Sequence, residues 1–210
     1  MSSSAAGASN PDLRLPDLAP ETVFEELASV GAVSLPVLGE HRRRSLLDAA
    51  RASPFRAARA QVGTGDRLVH QRMEVCEHFP PDGVFRAFTR EFQTLWDDFI
   101  LGCRSNPFDG RLVFNDLMLQ RYSIGEVGIT PHRDRTGYRN LVCLFILEGK
   151  GRFYVCEDRA GTGAREIAHA PGDVLLMRAP GFQASAERPF HFVRDIQSPR
   201  YVFGLRQEGP

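Results

Sequence analysis

The chain has 210 residues, 42% of them hydrophobic, which suits one sizeable domain with a full core and leaves little room for two. Lys and Arg together number 26 and Asp and Glu 26, so the formal charge is zero and no global field draws the chain to nucleic acid or an anionic membrane. No apolar run approaches the ~20 residues of a membrane span, and the opening MSSSAAGASN lacks the charged and apolar regions of a secretory signal, so a cytoplasmic setting is expected.

In chain order, residues 1–12 are Ser/Ala/Gly-rich and predicted to be disordered, and 13–210 to form one domain, helical over 13–110 and a β core over 111–210. Pro20–Val30 reads as a helix: Pro20 suits its first turn, Val23, Phe24, Leu27 and Val30 form an apolar stripe, and Gly31 stops it. Ala32–Leu35 follows as a short strand. His41–Ala52 is a second helix, with Arg42, Arg43 and Arg44 on its solvated side, ended by Ser53-Pro54. Ala60–Phe79 is ambiguous: Gly63 and Gly65 mark a turn whose flanks suit a hairpin, and the segment is a candidate lid. Pro81–Ile100 carries Val84, Phe85, Phe88, Phe92, Leu95, Trp96 and Phe99 at helical spacing, a stripe expected to brace one sheet.

After Gly110 the texture changes to short alternating or apolar runs broken by turn residues. Eight strands are expected: Leu112–Tyr122, Thr130–His132, Asn140–Leu147, Arg152–Cys156, Arg165–His169, Val174–Arg178, Phe190–Asp195 and Arg200–Leu205. That number of short strands points to a sandwich or jelly roll. Cys76, Cys103, Cys143 and Cys156 form no C-x-x-C pair, which disfavours a zinc ribbon; Cys143 and Cys156 sit in apolar runs and read as buried free thiols.

Three residues in this half are candidates for metal chemistry; the alternatives are a surface His132 beside a loop Asp134, which the tripeptide alone favours, and a structural core His191. His132 and Asp134 stand as His-x-Asp, and residues i and i+2 of an extended chain share a face. Candidates for a third ligand are His41, His70, His78, His169 and His191; His191 is favoured because it lies within a late strand, PFHFV, which fixes the ring. Two imidazoles and one carboxylate are the facial triad of non-haem Fe(II). Nine positions beyond His191, RYVFGLR puts Arg200, Val202, Gly204 and Arg206 on one strand face. Two inward arginines are costly unless anions pair with them, so the face reads as an anion site; the alternative is an edge strand with a solvated arginine face.

On His132, Asp134, His191 and Arg200 the chain resembles the Fe(II)/2-oxoglutarate-dependent dioxygenases, whose motif is H-x-D, a distal H and an R. It resembles their AlkB-like branch in Arg200 and Arg206 of the closing R-x-N-x-T-x-R, with Val202 and Gly204 at the polar positions, and in Tyr122 of N-x-Y, with Gln120 in place of Asn. The resemblance covers Leu112–Arg206. It implies an α+β fold with a double-stranded β-helix (jelly-roll) core and the N-terminal helices packed on one sheet. It also implies Fe(II) on His132, Asp134 and His191, and 2-oxoglutarate as co-substrate with O2. Arg200 and Tyr122 would serve the distal carboxylate of that acid, and Arg206 its C1 end or the substrate, with Gln120 nearby. The expected activity is oxidation of a small molecule or an amino-acid side chain. Demethylation of a nucleic-acid base, which zero net charge disfavours, and a non-enzymatic β-sandwich binding module are the alternatives.

Overall fold

A computed structural model describes residues 12–209, so all of the expected disordered segment except Asp12 lies outside the described residues. The elements in order are α1 Pro20–Val30, β1 Ala32–Pro36, α2 Glu40–Arg51, β2 Arg56–Ala57, β3 Gln61–Val62, β4 Val69–His70, β5 Met73–Cys76 and α3 Val84–Leu101. There follow β6 Asp116–Tyr122, β7 Gly125–His132, β8 Tyr138–Glu148, β9 Arg152–Cys156, β10 Arg165–Glu166, β11 Asp173–Arg178, β12 Phe190–Ile196 and β13 Arg200–Glu208.

The eight strands β6–β13 form two antiparallel sheets. One runs β11-β8-β13-β6 and is widened by β1 at one edge and by β5 and β2 at the other; the smaller runs β10-β9-β12-β7. The chain crosses between sheets after β6, β7, β8, β10, β11 and β12, which is the winding of a double-stranded β-helix. The β3–β4 hairpin lies along β7: His70 N–H donates to Thr130 Oγ1 at 3.0 Å, Arg72 N–H to the Gly128 carbonyl at 2.7 Å, and Gln71 bridges Ile129. Ala60–Phe79 therefore spans from the small sheet to the large one.

Side-chain alternation divides the interior into two cores. Leu141, Cys143, Phe145 and Leu147 of β8 and Phe203 and Leu205 of β13 face the helices. Val142, Ile146 and Val202 face the small sheet, where Ile129, Phe153, Val155 and Val193 meet them. The large sheet is covered on both faces, so all three helices pack on its outer side. The stripe of α3 does this mainly with rings. Phe88 and Phe92 meet Phe145 edge-on at centroid distances of 4.9 and 4.8 Å, and Trp96 is 0% exposed.

Some boundaries differ from the sequence expectation for local reasons. α3 begins at Val84, not Pro81, because Pro80–Gly83 closes a turn with the Gly83 N–H on the Pro80 carbonyl; Pro-Asp-Gly after Pro80 favours that turn. β6 begins at Asp116, not Leu112. The backbone of residues 112–114 is bonded instead by Gln93 of α3, which donates to the Leu112 carbonyl and accepts from Phe114 N–H. Arg42 and Arg43 are not on a solvated face: Arg42 pairs with Glu91 of α3 at 2.7 Å, and Arg43 donates to the Leu147 carbonyl at 2.6 Å. Cys143 is buried as expected, but Cys156 is only half-buried and contacts the Asp158 carbonyl. Among the described residues no helix is long and apolar enough to cross a membrane.

Candidate metal centre

β7 and β12 pair antiparallel with His132 directly opposite His191. Both rings point between the sheets, with centroids 4.2 Å apart. Asp134, two residues past His132, turns back so that its Oδ1 lies 3.8 Å from Nε2 of each histidine. One ligand atom from each of the three lies within 4.8 Å of the others, close enough to hold one metal ion. The backbone fixes which nitrogen faces that point. Nδ1 of His132 is 2.9 Å from the Thr130 carbonyl and Nδ1 of His191 is 3.3 Å from the Pro189 carbonyl, two residues back in each case. A carbonyl only accepts, so in the neutral rings the proton sits on Nδ1 and the Nε2 lone pairs converge with the carboxylate.

Electrostatics favours the same ligand state. Burial, then the neighbouring His191, pushes His132 down to about 4, so its ring is neutral at physiological pH. Burial alone would raise the Asp134 carboxyl, but His191, His132, Arg206 and Arg188 outweigh it and hold the group below its ordinary value. Arg188 also donates to the Asp134 backbone carbonyl and anchors the turn. The donor set, two imidazoles presenting Nε2 and one carboxylate, is one that Fe(II) accepts with positions left open.

The residues expected to hold the co-substrate lie in the same interior, whereas His41, His70 and His78 are exposed. Gln120, Tyr122 and Arg206 line one small cavity with His132, Asp134 and His191. Tyr122 is opposite Arg200 in the β6–β13 register, and the Arg200 guanidinium lies 5.6 Å from its ring centroid. Arg206 is 5% exposed and its Nη1 is 3.5 Å from Asp116 Oδ2. Arg200 is 2% exposed and, among the described residues, forms no ion pair and has no partner for its Nε. Burial pulls its pKa from 12.5 to about 10, which still leaves it charged. A buried cation with no counter-charge is costly, and an anionic ligand would relieve it.

Three glycines make room for these side chains. An added Cβ at Gly128 would stand 3.1 Å from the Tyr122 ring, one at Gly151 3.2 Å from Arg200 Cδ, and one at Gly204 2.9 Å from both terminal nitrogens of Arg206. At Gly204 the guanidinium of Arg206 fills the space that a side chain would take. Sequence reasoning missed Thr130, Pro189, Asp116 and these packing roles. The two carbonyls carry no sequence signal, since every residue has one.

No family model and no curated protein sequence matches the chain. Solved structures do. A Pseudomonas putida prolyl-4-hydroxylase aligns with TM-score 0.62 and 15% identity over 91% of this chain and 100% of its own. A Trichoplax adhaerens prolyl hydroxylase, in complex with a hypoxia inducible factor peptide fragment, aligns with TM-score 0.62 and 15% identity over 90% and 88%. A 2OG-Fe(II) oxygenase family oxidoreductase from Burkholderia pseudomallei gives 0.62 and 16% over 93% and 95%. The chain has the fold of these oxygenases, with a His-Asp-His cluster between its two sheets.

Proposed function

We propose that the chain is an Fe(II)- and 2-oxoglutarate-dependent dioxygenase that oxidises a small molecule or an amino-acid side chain. The observation that carries this is Arg200, a charged guanidinium enclosed in the same interior as the three convergent ligands and lacking an acidic partner among the described residues. A metal site alone fits many proteins. A metal site together with an unpaired buried cation suits a ligand that chelates at one end and is anionic at the other.

His132, Asp134 and His191 would hold the ion. With Fe(II) and O2, 2-oxoglutarate becomes succinate and CO2, and one oxygen atom enters a substrate C–H bond. Arg200 would hold the distal carboxylate by a two-pronged hydrogen bond, with the Tyr122 ring beside it. Arg206, held over Gly204 on the same face as Arg200, would serve the C1 carboxylate or the substrate, and Gln120 lines the same space. The apolar walls, Ile129, Leu144, Phe153 and Val193, exclude water and keep these charge contacts strong. The departures at Val202 and Gly204 and the zero net charge support a small molecule or side chain over a nucleic-acid base.

Succinate release tests the reading. Protein, Fe(II), O2, 2-oxoglutarate and ascorbate, which supplies the two electrons that take the second oxygen atom to water when no substrate is present, are expected to yield succinate and CO2, and Asp134→Ala is expected to yield none. A parent protein that binds Fe(II) without ever consuming 2-oxoglutarate would support a non-catalytic metal-binding sandwich instead.

A further inference from the structure

We propose that His169 is a positioning residue for the co-substrate: its hydrogen bond orients the Arg200 guanidinium toward the distal carboxylate of 2-oxoglutarate. The inference rests on the reading of Arg200 given above.

His169 lies on the segment between β10 and β11. Its Nδ1 is 2.9 Å from the Ile167 carbonyl, so that nitrogen carries the proton. Its Nε2 is 3.3 Å from Nη2 of Arg200, which can only donate. The neutral ring is thereby an acceptor held from behind. Charge agrees with this geometry. Burial first, then the Arg200 charge, pushes His169 below its ordinary value, while Asp173 of β11 and Glu166 of β10 pull the other way and are outweighed.

Beside this bond, the Arg200 head group lies 5.6 Å from the Tyr122 ring centroid, and Gly151 leaves room for its stem. The stem is set by packing and the plane of the fork by His169. A neutral partner matters here. A carboxylate in place of the imidazole would hold the guanidinium equally well but would cancel its charge and compete with the ligand. An imidazole fixes the fork and leaves the whole charge for the incoming anion. Arg200 keeps further N–H groups for a bidentate contact, since a guanidinium carries five.

The test compares two acids binding to the Mn(II)-loaded protein, measured by calorimetry under nitrogen. 2-Oxoglutarate has the distal carboxylate; 2-oxobutanoate has the same chelating end without it. His169→Phe fills the site but removes the acceptor, and is expected to weaken 2-oxoglutarate about tenfold while leaving 2-oxobutanoate within about twofold. His169→Gln returns an acceptor at similar reach and is expected to bind 2-oxoglutarate within about threefold of the parent. His169→Glu should bind it more weakly than His169→Phe, because the new carboxylate pairs with Arg200. If His169→Phe does not fold, the Gln and Glu variants decide between them, and equal affinity in the two overturns the proposal. So does a His169→Phe protein that binds 2-oxoglutarate like the parent, or that loses both acids equally. A parent that binds neither acid takes away the reading of Arg200 itself, and the inference with it.

Discussion

Replacing Arg200 by methionine separates the cost of the buried cation from its use. Burial lowers the guanidinium pKa from 12.5 to about 10. At about 1.4 kcal/mol per tenfold change in proton affinity, this corresponds to a cost of about 3 kcal/mol. The sign is definite: a cation with a depressed folded pKa carries its full cost below that pKa, so at pH 7.5 the whole penalty applies. Methionine fills much of the same length without charge. The lost bond to His169 takes back about 1 kcal/mol, so without ligand Arg200→Met is expected to be more stable than the parent by about 2 kcal/mol. With Mn(II) and 2-oxoglutarate the order reverses. The parent gains about 2.7 kcal/mol at a ligand concentration a hundred times its Kd. The variant loses about 3–5 kcal/mol of binding, or two to four decades of affinity, and gains almost nothing at that concentration. Calorimetric melts of both proteins, with and without the acid, give all four values. A variant less stable than the parent in the absence of ligand, yet with the same ligand-induced rise in Tm, would refute the claim that Arg200 is an unpaired cation awaiting an anion.

Other expectations follow from the same geometry. His132→Ala, Asp134→Ala and His191→Ala should each abolish stoichiometric Mn(II) binding measured by electron paramagnetic resonance, and retained binding in Asp134→Ala would exclude the triad. His132 is held neutral down to about 4 against an ordinary 6.5, so the unfolded chain binds more protons between those values. Stability present above pH 6.5 should therefore fall as the metal-free protein is acidified through that window, by up to about 3 kcal/mol; urea midpoints at pH 7.0 and 4.5 would show it, and equal midpoints would contradict it. Trp96→Ala should cost about 3–5 kcal/mol by urea unfolding, because the 0% exposed indole is packed by Phe24, Phe92 and Phe99. Gly149→Ala should lower Tm sharply, since φ there is +95° and an added Cβ would stand 2.3 Å from the Pro199 carbonyl oxygen; an unchanged Tm would put the turn geometry in error.

Much of this structure was legible in the chain because pattern and burial coincide. The alternation of RYVFGLR separated Arg200 and Arg206 from Phe203 and Leu205, and the sheet has buried both sets on opposite faces. The stripe of α3 was readable for the same reason: Phe88, Phe92 and Trp96 recur at helical spacing and are fully buried. The expected strand starts at Thr130, whereas β7 starts at Gly125, because glycines at 125 and 128 carry no apolar alternation. Gly128 is instead the gap that the Tyr122 ring enters, which depends on a strand distant in sequence. Leu112–Phe114 is an apolar run that suits a strand, but a side chain from α3 takes its backbone bonds. The role of His169 was beyond reach: the sequence shows a histidine before a turn, and only the fold places it beside Arg200.

The central claim is tested most directly by titrating the Fe(II)-loaded protein with 2-oxoglutarate under nitrogen and following the metal-to-ligand absorption band. The parent should develop the band with a saturable, one-to-one dependence on the acid. Arg200→Met should require a concentration about two to four decades higher, and Asp134→Ala should show no band. A parent protein that holds Fe(II) and shows no band at any concentration of 2-oxoglutarate would contradict the account.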